Sequence, residues 1–406
     1  MQLSESSDRP EGAALIQRLE AAMAALRSLV DAHITTDRVR RYLAQLCDTP
    51  APSTAASAFR TPVLKALLRG DGVLDEPGLH LREDFERTGS TAILTGAPEI
   101  AKPLWYFAHL DTVSYLLQPK TGDRYPLVPF CYHLIGDGVR PARAYRYDLA
   151  SNRYVLLAEG ELVAEAGVPF FRPAFPDAQL SAGDRVVFFT PYRETNADGS
   201  FIGHMDNAGG VAALAVAAPV LARAGVEALI AFPDEEEGPP GAGSQVMGRG
   251  GSRIVNLMPT PDLAIIADVQ QAGGEPDADT RSGVENSTRL GSGAVLAEFA
   301  SLARGAVTPP HLYVLARRFA EVAAEVGVRI QESNNAYTSR SDDVSVLLKT
   351  PNILLLGFPG FNRHFDKGEP RANLQDVVHL SKSLIYASVL APLYRELTAQ
   401  LFEAER

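Results

Sequence analysis

Five residues with metal-binding side chains lie at the ends of apolar segments in this 406-residue sequence. The candidates are His109, Asp206, one of the adjacent glutamates Glu235, Glu236 and Glu237, Asp268 and His364. Four of them follow short apolar runs that read as buried strands, and Asp206 precedes an alanine-rich helical segment. Ligands of open α/β sheets bind beyond the carboxyl ends of the strands, so we expect these side chains to converge. Two imidazoles and three carboxylates, without cysteine, suit two divalent ions that share a bridging Asp.

Two of the motifs also suggest roles beside the metal ions. His109 and Asp111 are two residues apart and would share one face of a strand, so Asp111 could orient the imidazole ring. The acidic run 234–237 contains adjacent glutamates, of which one could bind metal while its neighbour transfers a proton. Taken singly, each motif has an ordinary alternative: a hydrogen-bonded core histidine, or a solvated acidic turn.

The other three candidates are weaker when judged alone. A helix N-cap explains Asp206, a strand-end Asp268 needs no metal, and His364 could be a loop histidine without a role. Their order in the chain and their common placement at element ends make the metal centre the better interpretation.

Hydrophobic periodicity predicts the elements that position these residues. Residues 11–46 read as two helices, and residues 113–190 as short extended pieces that include a hairpin around 148–152. Strands and helices alternate after residue 206, with a long final helix over 373–402. The middle segment therefore reads as a small β-rich module inserted into an α/β domain.

The composition excludes several classes of function. A 46% hydrophobic content supports a globular core, and a formal charge of −11 gives no basic surface for nucleic acid or an anionic membrane. No signal peptide or uncharged apolar stretch of about 18 residues is evident, so we predict a cytoplasmic protein. Cys47 and Cys131 are too few for a disulfide framework and read as reduced packing residues.

Across residues 38–395 the sequence resembles the glutamyl aminopeptidase and tetrahedral aminopeptidase family of di-metal exopeptidases, which use co-catalytic zinc. The matching motifs are His109-Leu110-Asp111, Gly183-Asp184, Asp206-Asn207, Glu235-Glu236-Glu237-Gly238, Asp268-Val269, Ser341-Asp342 and His364. The resemblance implies an α/β fold with a mixed central sheet flanked by helices, as in zinc exopeptidases, and an inserted β-rich domain. It divides the chain into an N-terminal helical extension (1–36), a catalytic α/β domain in two parts (37–112 and 193–406) and the insert (113–192).

The resemblance also implies a role for each candidate. His109 and Asp268 would hold one ion, Glu236 and His364 the other, and Asp206 would bridge them. Counting back from Gly238 makes Glu235 the general base, and Asp111 would orient His109. The ions would be zinc, with cobalt or manganese as alternatives.

The resulting expectation is a metal-dependent aminopeptidase that removes N-terminal residues from peptides through a water activated by two ions. Alternatives are a di-metal deacylase, amidase or carboxypeptidase acting on small N-acyl or peptide-like metabolites, and a non-catalytic binding protein. A homo-oligomer is expected, either a dimer or a twelve-subunit cage, with no nucleic-acid or membrane partner.

Overall fold

A computed structural model describes residues 10–131, 135–239, 248–274, 283–301, 304–336 and 339–403. The first nine residues of the predicted N-terminal extension lie outside this part of the chain. Within these residues the chain forms a central sheet, a closed barrel and nine α-helices.

The centre of the molecule is a mixed 12-stranded sheet, with the main strand order β1-β2-β12-β3-β13-β17-β18-β11-β10. Strands β14 and β15 pair with β17, and β16 pairs with β15. The strands are β1 (Leu79–Arg82), β2 (Thr91–Thr95), β3 (Leu104–Phe107), β10 (Arg193–Glu194), β11 (Ser200–Ile202), β12 (Ala228–Phe232), β13 (Leu263–Ile266), β14 (Val269–Gln271), β15 (Ala294–Ala297), β16 (Ile330–Glu332), β17 (Ile353–Phe361) and β18 (Arg371–Asn373).

Four neighbouring strands in the middle of this sheet, β12, β3, β13 and β17, run parallel to one another. They are apolar throughout and buried on both faces, as expected for parallel strands covered by helices. All their carboxyl ends therefore lie along one edge.

Between β3 and β10 the chain forms a separate closed barrel with the order β4-β5-β8-β7-β6-β9. Its strands are β4 (Ser114–Leu117), β5 (Tyr125–Pro129), β6 (Gly138–Asp148), β7 (Arg153–Glu165), β8 (Val168–Pro173) and β9 (Arg185–Phe188). The predicted hairpin is present as β6 and β7, but it is longer than its sequence pattern indicated. The barrel has its own hydrophobic core around Tyr115 and Phe171.

Helices cover the central sheet. They are α1 (Pro10–His33), α2 (Thr36–Asp48), α3 (Ala56–Gly70), α4 (Ala208–Arg223), α5 (Arg249–Leu257), α6 (Pro310–Glu325), α7 (Asp343–Val346), α8 (Leu374–Tyr386) and α9 (Leu390–Glu403). The alanine-rich α4 is buried over nearly its whole length and packs on α2 and α8. Helix α1 packs across α4, α6, α8 and α9 and buries Leu19, Met23 and Val30. This α/β fold with a flanked mixed sheet and a separate β-rich unit confirms the predicted fold class.

One helical stretch is long and apolar enough to cross a membrane by composition. Among the described residues it is Leu374–Leu401, which combines α8 and α9. In its most apolar window, 78% of the residues are buried inside the protein, as in a core helix. Length and composition alone are therefore weak evidence for a membrane span.

Candidate metal centre

The carboxyl-end edge of the four parallel strands gathers the predicted metal-binding residues. His109 follows β3 by two residues, and Asp268 follows β13 by two. The acidic run follows β12, and His364 follows β17. Asp206 reaches the same edge from the segment before α4, whose first turn is capped by the side chain of Asn207. The structure therefore brings these side chains together at one edge of the sheet.

Asp206 lies between the two histidines. Its Oδ1 is 3.2 Å from Nε2 of His109, and its Oδ2 is 3.1 Å from Nε2 of His364. The His109 ring also faces Asp268, at 3.6 Å between Nε2 and Oδ2. The His364 ring faces Glu237, at 2.7 Å between Nε2 and Oε1. Two imidazole–carboxylate pairs thus flank one central carboxylate.

The acidic turn differs from the sequence expectation by one residue. Glu237, not Glu236, lies against His364, and Glu236 lies nearer His109, at 3.8 Å between its Oε2 and the ring Nε2. Glu235 adopts the left-handed backbone region, with φ of 66°, and its carboxylate forms an ion pair with Arg253 away from the histidines. The structure does not bring Glu235 into the cluster.

The side chain of Asp111 explains why Glu236 and Glu237, rather than Glu235, face the cluster. Its Oδ1 accepts the backbone N–H of Glu236 at 2.9 Å, and its Oδ2 accepts that of Glu237 at 3.1 Å. Ser53 donates its hydroxyl to the same carboxylate at 2.5 Å. Because two successive amides point at one carboxylate, the turn directs Glu236 and Glu237 inward.

The predicted contact between Asp111 and His109 is mainly a backbone one. Nδ1 of the His109 ring is 3.0 Å from the main-chain carbonyl oxygen of Asp111 and 3.6 Å from its carboxylate. Because a carbonyl oxygen only accepts, Nδ1 carries a proton, and Nε2, which faces Asp206, is the nitrogen that a metal ion would bind in place of a proton.

Burial and proximity perturb the titration of the cluster. Burial lowers the pKa of His364, but the carboxylates of Glu237 and Asp206 outweigh that effect and raise the pKa to about 9. Burial raises the pKa of Asp206, but the two facing imidazoles bring it well below its ordinary value. The pKa of Glu236 is raised well above the ordinary value by burial and by the neighbouring acids. Opposed shifts of neighbouring groups are typical of functional sites.

Residues 176–387, just over half of the chain, match the sequence pattern of peptidase family M20/M25/M40. The chain belongs to this family. Comparison with curated protein sequences returned no match.

Solved structures similar to this family member include aminopeptidases of archaea. An aminopeptidase from Desulfurococcus kamchatkensis is 16% identical, with a TM-score of 0.66 over 88% of this chain and 97% of its own. A TET aminopeptidase from a marine-sediment Thaumarchaeota archaeon gives 16% identity and a TM-score of 0.66, over 88% and 99% of the two chains. A TET peptidase of Pyrococcus horikoshii is 17% identical, with a TM-score of 0.63 over 86% of this chain and 99% of its own. At these identities the likeness establishes the shared fold.

The donor set of this M20/M25/M40 peptidase fits divalent metal ions. Three groups have ligand atoms within 4.8 Å of one another: His109 with Asp206 and Asp268; His109 with Glu236 and Glu237; and Asp206 with Glu237 and His364. Both carboxylate oxygens of Asp206 are buried, and no described residue donates a well-oriented hydrogen bond to them. In the metal-free protein the facing imidazoles compensate the charge of this carboxylate, and divalent cations bound between these groups would do the same. Family and site together support a hydrolase of the metallopeptidase class.

Two arginines near the centre of the peptidase were missed in the sequence. Arg363 precedes His364, and its Nη1 is 3.5 Å from Oδ2 of Asp206. Arg60 is completely buried and donates to the carbonyl oxygen of Leu110 at 2.6 Å, between His109 and Asp111. Adjacency to His364 was a usable signal for Arg363. Nothing in the local sequence marks Arg60, because its position in the middle of α3 reads as an exposed helix residue.

Proposed function

We propose that this peptidase is a two-metal aminopeptidase that hydrolyses the first peptide bond of peptides or small peptide-like substrates. The observation that carries the proposal is the position of Asp206, with one imidazole near each of its carboxylate oxygens. That arrangement is suited to a bridging ligand between neighbouring ions.

We propose that His109 and Asp268 hold one ion, that His364 and Glu237 hold the other, and that Asp206 bridges them. Relative to the sequence expectation, Glu237 replaces Glu236 as the ligand, because it is the glutamate in contact with His364. Zinc is the proposed metal, with cobalt or manganese as alternatives, since the set mixes imidazole and carboxylate donors.

Glu236 is then the proposed general base in place of Glu235. When bound, the ions would polarise the scissile carbonyl group and lower the pKa of a water molecule. Glu236 is buried and its Oε2 lies 3.8 Å from the His109 ring, a position from which it would accept a proton from the attacking water and return it to the leaving nitrogen. Asp111 holds Glu236 in place through the backbone amide.

Three isosteric substitutions test this assignment. Glu236→Gln should lower kcat for aminoacyl anilides by about 10²–10⁴-fold, because an amide cannot transfer the proton, while two ions remain bound. Glu237→Gln should weaken binding of one ion. Glu235→Gln, the matched control, should change kcat little, because that side chain pairs with Arg253. Metal content by mass spectrometry and steady-state kinetics measure the outcomes.

The opposite result would support the assignment expected from the sequence, with Glu235 as the base and Glu236 as the ligand. If Glu235→Gln abolished turnover with both ions bound while Glu236→Gln lost an ion, the assignment of base and ligand proposed above would be wrong. If the purified protein bound no divalent ion, the two-metal proposal itself would fall.

One observation favours a second candidate function. Arg363 brings a guanidinium group to the edge of the centre, and guanidinium groups recognise carboxylates through paired hydrogen bonds. A deacylase, amidase or carboxypeptidase acting on N-acyl amino acids would present such a carboxylate. Assays of aminoacyl anilides beside N-acylated amino acids separate the two functions, since each enzyme would hydrolyse one set and leave the other.

Assembly, location and domain limits are further proposals. We propose a homo-oligomer in the cytoplasm; the Pyrococcus horikoshii peptidase of similar fold can assemble into a tetrahedron or an octahedral shell. We also keep the division into 1–36, 37–112, 113–192 and 193–406, which agrees with the barrel strands lying between residues 114 and 188.

A further inference from the structure

The residue that follows His364 belongs to the core of the barrel. The Phe365 side chain is buried with the barrel residues around Phe188, and the two rings stack with their centroids 4.5 Å apart. The loop that carries a proposed metal ligand of the catalytic sheet is therefore anchored in the inserted unit.

Arg140, on strand β6, ties the same loop by its backbone. Its Nε donates to the carbonyl oxygen of Phe365 at 2.7 Å, and its Nη2 donates to that of Asp366 at 2.9 Å. Arg140 is only 7% exposed, so these charge-assisted bonds are shielded from water. A planar guanidinium can hold two successive carbonyls in fixed positions, which fixes the chain directly after His364.

The other proposed ligand of this ion is also next to the barrel. Gly238 follows Glu237, and a Cβ placed there would lie 2.0 Å from the carbonyl oxygen of Phe130 and 3.0 Å from the Cα of Cys131. The chain after Glu237 thus runs in direct backbone contact with the segment that follows β5.

The ligands of the first proposed ion have a different support. His109 and Asp268 follow β3 and β13, and the ladder of the main sheet continues up to them through hydrogen bonds of Ala108 to Ala231 (3.1 Å) and of Ala267 to Phe107 (2.9 Å). Their positions are set by neighbouring parallel strands.

We propose that the barrel positions His364 through Arg140, and thereby sets the affinity of the second ion separately from that of the first. Arg140 is a positioning residue in this proposal, which rests on the two-metal centre proposed above. Without its two hydrogen bonds the loop after His364 would lose its fixed geometry, and the imidazole would reach the ion less often.

Titration of metal-free protein with Co²⁺, followed by visible absorption and calorimetry, tests the proposal. Wild type should bind two equivalents. In Arg140→Ala the Kd of one of the two equivalents should rise by about 10–100-fold, the usual effect of losing a group that orients a ligand, while the Kd of the other stays within about twofold. Arg140→Lys should be intermediate, because one ammonium group cannot hold both carbonyls in a fixed fork. Arg172→Ala, which removes an exposed barrel arginine paired with Glu161, is the control and should match wild type.

The outcomes separate this proposal from the function. If wild type bound two ions and Arg140→Ala kept both affinities, or lost both equally while its circular dichroism stayed native, the positioning role would be overturned. If wild type bound a single ion, the two-metal function would fall first. Should Arg140→Ala not fold, Phe188→Leu removes the ring stacking on Phe365 instead, and the same selective weakening of one of the two equivalents is expected.

Discussion

At the scale of single residues, Asp111 does more than its place beside His109 suggests. Its carboxylate joins three segments, since it accepts from Ser53 and from the amides of Glu236 and Glu237. These bonds connect the first loop of the catalytic region to the acidic turn. Asp111 therefore shapes the centre through the backbone of the acidic turn.

Asp111→Asn should weaken metal binding by about 10–100-fold, the range typical of groups that orient ligands. An amide NH₂ in place of one oxygen would face a backbone N–H and open the acidic turn. Calorimetric titration of metal-free protein with Zn²⁺ measures the loss.

Ser53→Ala is the milder comparison for this substitution. It removes one of three hydrogen bonds to Asp111 and should cost about 1 kcal/mol of folding stability, with metal affinity nearly unchanged. If Asp111→Asn bound Zn²⁺ as tightly as Ser53→Ala, the acidic turn would not depend on Asp111.

At the scale of residues, the sequence pattern locates side chains that directly follow a strand better than side chains that follow a turn. His109 and Asp268 come two residues after their strands, so strand recognition located them. The glutamates come after a turn whose direction is set by bonds from Asp111, about 125 positions earlier in the sequence. Counting along the acidic run could not reveal that long-range contact, and the choice between Glu235, Glu236 and Glu237 needed coordinates.

At the scale of elements, close backbone approach holds Asp206 near Asp268. Gly210, in the first turn of α4, donates its N–H to the Asn207 side chain at 3.0 Å. Asn207 in turn donates to the carbonyl oxygen of Ala267 at 2.8 Å, directly before Asp268. A Cβ at Gly210 would lie 2.5 Å from that same oxygen, so only glycine fits.

Gly210→Ala should therefore destabilise the protein by about 1–3 kcal/mol, as overpacking does, and should also reduce metal retention by separating Asp206 from Asp268. Chemical denaturation and metal content after dialysis measure the two effects. Gly70→Ala is the matched control: no atom lies within 4 Å of its added Cβ, so stability should be equal or slightly higher. Equal behaviour of both variants would contradict the close approach.

Elements with strong periodicity were predictable, and closure of the barrel was not. The sequence pattern marked a hairpin around residues 148–152, whereas β6 begins at Gly138 and β7 ends at Glu165. Pro141 and Gly160 interrupt the pattern, because such residues ordinarily weaken strands. In the barrel Gly160 is required, since a Cβ there would lie 2.3 Å from the carbonyl oxygen of Arg172.

At the scale of the whole molecule, the metal-free centre holds protons that the unfolded chain would release. The pKa of His364 is about 9 when folded, and burial raises the pKa of Asp342 to about 8. Their ordinary values are about 6.5 and 3.9. Between about pH 4 and 9 these two groups therefore bind more protons in the folded metal-free protein than in the unfolded chain, and their contribution to stability falls as the pH rises.

Both groups make the folded protein less stable as the pH rises. The stabilising contribution of His364 is full below about pH 6.5 and is lost as the pH rises through 9, and the cost of burying Asp342 grows up to pH 8. We expect the EDTA-treated protein to have a lower Tm at pH 9 than at pH 6, measured by calorimetry. With Zn²⁺ bound this difference should shrink, because the metal replaces the protons on its ligands. If the Tm of the metal-free protein rose from pH 6 to pH 9, the raised pKa values of His364 and Asp342 would be contradicted.

Strand β17 should be among the last parts of the folded chain to open. It is buried along all nine residues, pairs with β13 and β15 near its start, and pairs with β14 and β18 near its end. Its amide protons should therefore exchange with deuterated water only when the entire fold opens, whereas those of the loop at 362–368 should exchange through local fluctuation. A chelator should therefore remove the ions from the loops at the sheet edge while the sheet itself stays folded and able to bind metal again.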